Sequence, residues 1–242
     1  MAVPLTTGLG VVALLAIAGV RTPLPLFAFG LCAFAAAGIL REWALGTWAR
    51  HKKGEALALA FGRLLLANRA RYGGYAVHLG ILVLAVSVTA SSFYGVKRNV
   101  SLAPGDMASL GGDRVEYLGV QSEERADSTL HRAVLRGYWG ERPLGTLTPS
   151  QAFYPSWSIA HTRAAIRSTP AEDFYVVATE FSPDGRAIFS LSVNPLVPWM
   201  WASGPILLLG VLLCLWPGRQ RAAASVRLLR AQTVSALSGG RR

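Results

Sequence analysis

The chain has 242 residues, of which 52% are hydrophobic and only 15% charged, and its formal net charge is +11. The apolar residues are gathered into long runs instead of recurring at helix or strand period, which points to the membrane and away from a soluble domain. The charge excess is not a nucleic-acid footprint. Residues 41–73 hold seven Lys or Arg against Glu42 and Glu55, the stretch after Trp216 holds six Arg and no acid, and residues 95–194 carry ten basic and eleven acidic residues. That asymmetry follows the positive-inside rule, which puts both basic segments in the cytoplasm and the balanced one outside.

In chain order, an uncharged run over residues 3–20 is just long enough to span a bilayer. Ala16-Ile17-Ala18 has the spacing of a signal-peptidase site, but no Lys or Arg precedes the run, as a secretory signal normally requires. Pro23 and Pro25 cannot continue that helix and mark a break. A second span over residues 24–40 ends at Arg41, Glu42, Trp43 and Trp48, the mixture of indoles and cations expected at an inner interface. Residues 41–73 read as a basic cytoplasmic loop. Residues 55–69 within it form an interfacial helix with Leu57, Phe61, Leu64 and Leu65 on one side. Gly73-Gly74 is placed to permit a tight turn into the third span, residues 74–94.

That third span carries His78. No charged residue occurs between Gly74 and Phe93 apart from a possible charge on that histidine, and an imidazole at membrane depth costs free energy unless it is bonded to something. It reads either as a metal or cofactor ligand or as a buried histidine bonded to a neighbouring helix. Gly74, Ile81, Leu82 and Ala85 share its helical face, where small residues admit a flat macrocycle or a second helix. Arg69 and Arg71 could pair with propionates or with phospholipid.

Residues 95–195 read as a β-rich extracytoplasmic domain. Strands are expected over residues 114–120, 129–139, 173–181 and 187–193, with a turn at Pro183-Asp184-Gly185. Tyr138, Trp139, Phe153, Tyr154 and Trp157 are candidates for core or for a docking patch. His131 opens a strand and His161 falls in a loop; neither has a companion at metal-ligand spacing, and no nucleophile elbow or Ser/His/Asp arrangement is legible. A last span over residues 196–216 begins at Pro198-Trp199-Met200-Trp201, and a basic tail over 217–242 is expected to meet anionic lipid. Cys32 and Cys214 both fall in apolar runs and read as small hydrophobes, and the absence of Cys-x-x-Cys removes thioredoxin-type chemistry. The fold class is an integral membrane α-helical protein of about four spans with a β-rich periplasmic domain inserted before the last helix. Both termini are expected in the cytoplasm.

Three ordered motifs carry a resemblance. Residues 68–80, Asn-Arg-Ala-Arg-Tyr-Gly-Gly-Tyr-Ala-Val-His-Leu-Gly, are similar to the segment leading into a late membrane helix of the CcmF haem lyase family of bacterial cytochrome c maturation. Tyr154-Pro155, residues 162–166 and residues 172–176 resemble that family's last periplasmic segment, and residues 194–201 resemble the approach to its final helix. The resemblance implies that His78 is one axial ligand of a b-type haem, with Arg71, Gly74 and Tyr75 beside the cofactor. The second ligand is a histidine on an earlier membrane helix, in a missing N-terminal part or partner subunit. It further implies reduction by quinol, a CcmE-type haem chaperone, a CcmH-type presenter of apocytochrome c, and a place in the bacterial inner membrane. The Trp-Trp-Asp tract of the family, with its flanking histidines, has no counterpart here. The expectation is therefore the C-terminal portion only, as a split-gene subunit or fragment, with no catalytic residue of its own. Two other readings of the residues stand beside it: a non-enzymatic scaffold or permease subunit in which His78 is structural, and a quinol-oxidising cytochrome b subunit without lyase activity.

Overall fold

The computed structural model describes residues 2–157 and 159–216; the tail over 217–242 lies outside the described residues. The chain divides into two compact units, residues 1–83 with 203–242, and residues 84–202. The first holds α1 (Ala2–Ile17), α2 (Pro23–His51), α3 (Leu57–Ala67), most of α4 (Arg69–Tyr94) and the later part of α5 (Val197–Leu215). Among the described residues, α2, α4 and α5 are long and apolar enough to cross a membrane, while the apolar α1 has 16 residues and is shorter.

Pro23 begins α2 because an N–H at the first helical position would find no intrahelical acceptor and proline has none to lose, and Pro25 still falls within that first turn. The helix then runs on to His51, through residues that the sequence reading placed in a loop. Packing explains the difference. Trp43 meets Phe61 of α3 edge to face at 5.7 Å. A Cβ at Gly46 would come within 2.8 Å of a Leu64 methyl, so the glycine lets α3 lie directly on α2. Glu55, just before α3, pairs with Arg63 at 3.0 Å, and its carbonyl bonds His51 Nδ1 at 2.8 Å.

The turn expected at Gly73-Gly74 is one place where the sequence reading fails. The chain breaks at Asn68, whose side-chain oxygen accepts the Arg71 N–H at 3.3 Å, and α4 runs uninterrupted through both glycines. Gly73 is there for helix packing. A Cβ on it would come within 2.9 Å of the Gly210 carbonyl and the Cys214 amide, and one on Gly210 within 2.6 Å of the Val77 amide. Gly80 likewise receives Leu207 of α5. Such close backbone approach is how helices associate where no hydrophobic effect separates lipid from protein. Cys32 and Cys214 are free thiols.

The second unit is a sandwich of two antiparallel sheets. One has the order β1 (Val96–Leu102), β10 (Ala187–Pro195), β9 (Glu172–Phe181), β8 (Ala165–Ser168). The other has the order β2 (Met107–Leu110), β3 (Asp113–Glu124), β4 (Thr129–Trp139), β6 (Ser150–Tyr154), β7 (Ile159–Arg163), with β5 (Arg142–Leu147) also pairing β4. Alternating apolar positions of both sheets meet in one core that includes Val115, Tyr117, Leu135, Phe174, Val176, Phe189 and Leu191. Tyr138, Trp139, Phe153 and Tyr154 are not among that core. Trp139 and Phe153 are exposed and Tyr138 spends its hydroxyl on Glu116 at 2.8 Å, so the edge-to-face pair Tyr117 and Phe189 fills the centre instead. His161 also departs from expectation, lying within β7 and not in a loop.

Burial raises the Tyr117 phenol above its ordinary value of 10.0. The neutral form is therefore favoured in the fold, and its contribution to stability is present below the unfolded phenol's pKa and lost as pH rises through the folded one. Alkaline titration followed by tyrosinate absorbance should show this phenol ionising late, together with loss of sheet circular dichroism.

Candidate functional site

His78 sits on α4, nine positions beyond its first residue, with its side chain exposed. Its Nδ1 lies 2.7 Å from the Gly74 carbonyl oxygen, one turn earlier. A carbonyl can only accept, so Nδ1 carries the proton and donates. In the neutral ring this leaves the Nε2 lone pair facing outward, with no hydrogen-bond partner among the described residues. That is the tautomer and orientation of a metal-ligating histidine, whose other ring nitrogen is characteristically fixed by a carbonyl or carboxylate.

The imidazole shares its helix face with apolar residues. Gly74 lies four residues before the imidazole, and a Cβ there would meet nothing within 4 Å. Ile81, half exposed, and Leu82 and Ala85 continue the same face. The adjacent glycines therefore have opposite duties: Gly73 is closed against α5 and Gly74 is open. Nothing in the spacing of a glycine pair distinguishes them, because the answer depends on where α5 packs. Among the described residues no group of three or more His, Cys, Asp or Glu stands together to hold a metal, so His78 is a single donor.

Arg71 and Tyr75 stand on the same side of α4, seven and three residues before His78. Arg71 Nε donates to the Tyr75 hydroxyl at 3.1 Å and its terminal nitrogen donates to Glu42 of α2 at 2.7 Å. A carboxylate within the chain thus takes the guanidinium for which the sequence offered a propionate or a phospholipid. The remaining histidines have local roles or none: His51 bonds the Glu55 carbonyl, His131 bonds Ser122 at 2.8 Å and packs on Phe181, and His161 has no hydrogen bond among the described residues. Trp199 differs from a plain interfacial anchor, since its Nε1 donates to the Pro170 carbonyl at 2.8 Å and Leu196 N–H donates to Ala171 at 2.8 Å. These two bonds hold the first turn of α5 to the turn between β8 and β9.

The comparisons bear on both units. The family model described as the CcmF C-terminal beta-sandwich matches residues 93–195, the span that folds here into two sheets. A solved structure of the cytochrome c haem lyase CcmF superposes with a TM-score of 0.68 at 27% identity, covering 88% of this chain and 34% of that one. The chain is similar to the C-terminal portion of CcmF. The cytochrome c-type biogenesis protein CcmF of Pseudomonas aeruginosa is 29% identical over 164 residues, which is 68% of this chain and 25% of that protein. The probable cytochrome c-type biogenesis protein NrfE of Escherichia coli is 27% identical over 173 residues, 67% of this chain and 31% of that protein. The chain thus spans about a quarter to a third of the length of these relatives. It is an α-helical membrane protein with a β-rich domain inserted between helices, which the similarity to CcmF and the long apolar helices both support.

Proposed function

We propose that this chain supplies the CcmF-type part of a cytochrome c haem lyase in which His78 is one axial ligand of a b-type haem. The single observation that carries this is the imidazole itself: Nδ1–H is held by the Gly74 carbonyl at 2.7 Å, Nε2 has no hydrogen-bond partner among the described residues, and the helix face at Gly74 is open. An unpartnered ring nitrogen at hydrocarbon depth is costly unless something bonds it, and haem iron is the acceptor the face would admit. The opposite ligand would be a histidine from another chain or another part of a longer one. When bound there, the haem would supply one-electron reduction, drawn from quinol, to the haem being joined to apocytochrome c. The chain's own work is positional. Gly74 leaves room for the macrocycle, its carbonyl fixes the tautomer of His78, and Arg71, braced by Glu42 and Tyr75, borders the same face.

In this reading the basic segments are cytoplasmic and the sandwich is periplasmic, where it would face a CcmE-type chaperone and a CcmH-type presenter. The test is maturation in cells that depend on this chain and its partner part. His78→Ala should abolish holocytochrome c, scored by haem staining, and Gly74→Leu should lower it severalfold while the chain accumulates normally, because the open face would be filled. Normal haem b content and normal cytochrome c assembly with His78→Ala would end the proposal.

A further inference from the structure

The sandwich carries a second feature that haem ligation does not use. β7 is the outermost strand of its sheet, no strand pairs with its far side among the described residues, and all five of its residues are exposed. Cross-strand register places Arg132, Ser150 and Arg163 in one row across β4, β6 and β7, with Leu130, Ala152 and His161 in the next row on the same face. Two cavities of about 470 and 420 Å³ adjoin along the first row, and Arg132, Ser150 and Arg163 line both. Leu147 adds apolar wall to one, and Leu130 and Tyr154 to the other.

The charge in this trough is one-sided. Arg125 at its margin already holds Glu123 at 3.2 Å, but neither Arg132 nor Arg163 has a carboxylate partner among the described residues. Two exposed guanidiniums in one cross-strand row with a serine between them make this part of the face positive with no carboxylate partner of its own. We infer that this sheet edge docks an extended acidic segment of a protein partner, which adds along β7 by main-chain hydrogen bonds and offers carboxylates to Arg163, with Arg132 two strands further in adding to the positive field. The open edge supplies the main-chain donors and acceptors that strand addition needs, and the two arginines supply the charge that selects acids. A free phosphate would use only the arginines and leave the apolar walls and the edge unused. Cations on an edge strand also serve simply to prevent self-pairing, and that function alone predicts no ligand. The inference is independent of His78, so either can fail without the other.

The experiment uses the full chain in detergent and a fluorescein-labelled twelve-residue peptide of alternating Glu and Thr, read by anisotropy. Wild type should bind it, the affinity falling as salt rises. Arg132→Gln with Arg163→Gln should weaken binding about tenfold or more, the loss of at least one charge-assisted pair. Arg98→Gln, on exposed β1, should leave it unchanged. Arg132→Glu with Arg163→Glu should instead bind the Lys/Thr counterpart, a gain that misfolding cannot produce. The same acidic peptide N-methylated at alternate residues should bind poorly. Equal binding by the double Gln variant, equal binding of the N-methylated peptide, or inorganic phosphate binding the pair while the peptide does not would each overturn the inference.

Discussion

Replacing Arg167 by alanine is expected to destabilise the sandwich by about 3–5 kcal/mol, because it strands a buried carboxylate. Asp113, 2% exposed, opens β3, while Arg167 lies on β8 at the edge of the opposite sheet. The guanidinium grips the carboxylate through two nitrogens, Nε to Oδ1 at 2.7 Å and Nη2 to Oδ2 at 2.5 Å, and lies 5.0 Å above the centre of the Trp139 ring. Trp139 in turn closes over Gly112, where a Cβ would come within 2.6 Å of the indole. The pair therefore ties the margins of two sheets whose shared core is apolar and which Gln151 also bridges, donating to the Thr179 carbonyl at 3.3 Å. Hydrogen exchange of the full chain in detergent should show β3, β4 and β8 losing protection in Arg167→Ala. The double variant Asp113→Asn/Arg167→Gln should recover much of that protection, since it buries no unpaired charge. If the single variant exchanged like wild type, the pair would be an incidental surface contact.

The second large effect is expected in the helical unit. Gly73→Leu or Gly210→Leu should force α4 and α5 apart, because each glycine has backbone of the other helix within about van der Waals reach of its missing Cβ. Overpacking of this kind costs about 1–3 kcal/mol where side chains can yield, and here the obstacle is main chain. Faster exchange at Tyr72 to Gly80 and a lower temperature of aggregation in detergent would register it. Gly74→Leu is the internal control, since nothing lies within 4 Å of that position. It should leave packing intact and affect only the face beside His78. Equal damage from all three substitutions would show that helix propensity, not close approach, makes these glycines necessary.

Much of the architecture is legible in the sequence because it rests on long-period signals. Uncharged runs mark helices, the Lys and Arg asymmetry gives an orientation to test, and Val- and Tyr-rich stretches reproduce β3, β4, β9 and β10 closely. What is not legible depends on partners. The extension of α2 to His51 comes from α3 packing onto Gly46, and the passage of α4 through Gly73-Gly74 comes from α5. β6 and β7 escape notice because Ser150-Gln151-Ala152 and Ala160-His161-Thr162 have little apolar alternation, and their pairing is what aligns Arg132 with Arg163. His78 itself could be singled out from the sequence as the one residue of its span able to carry a charge near neutral pH. The Gly74 carbonyl that orients it, and the Glu42 that occupies Arg71, could not.

The central claim is the ligation of haem through His78, and an absorption spectrum tests it most directly. The chain is purified with its candidate N-terminal partner part, reduced with dithionite, and compared between wild type and His78→Ala. The account predicts a reduced b-type α-band in wild type that requires both the partner and His78. An assembled wild-type complex without haem, or an unchanged band in His78→Ala, would contradict it and leave the histidine a structural residue of α4.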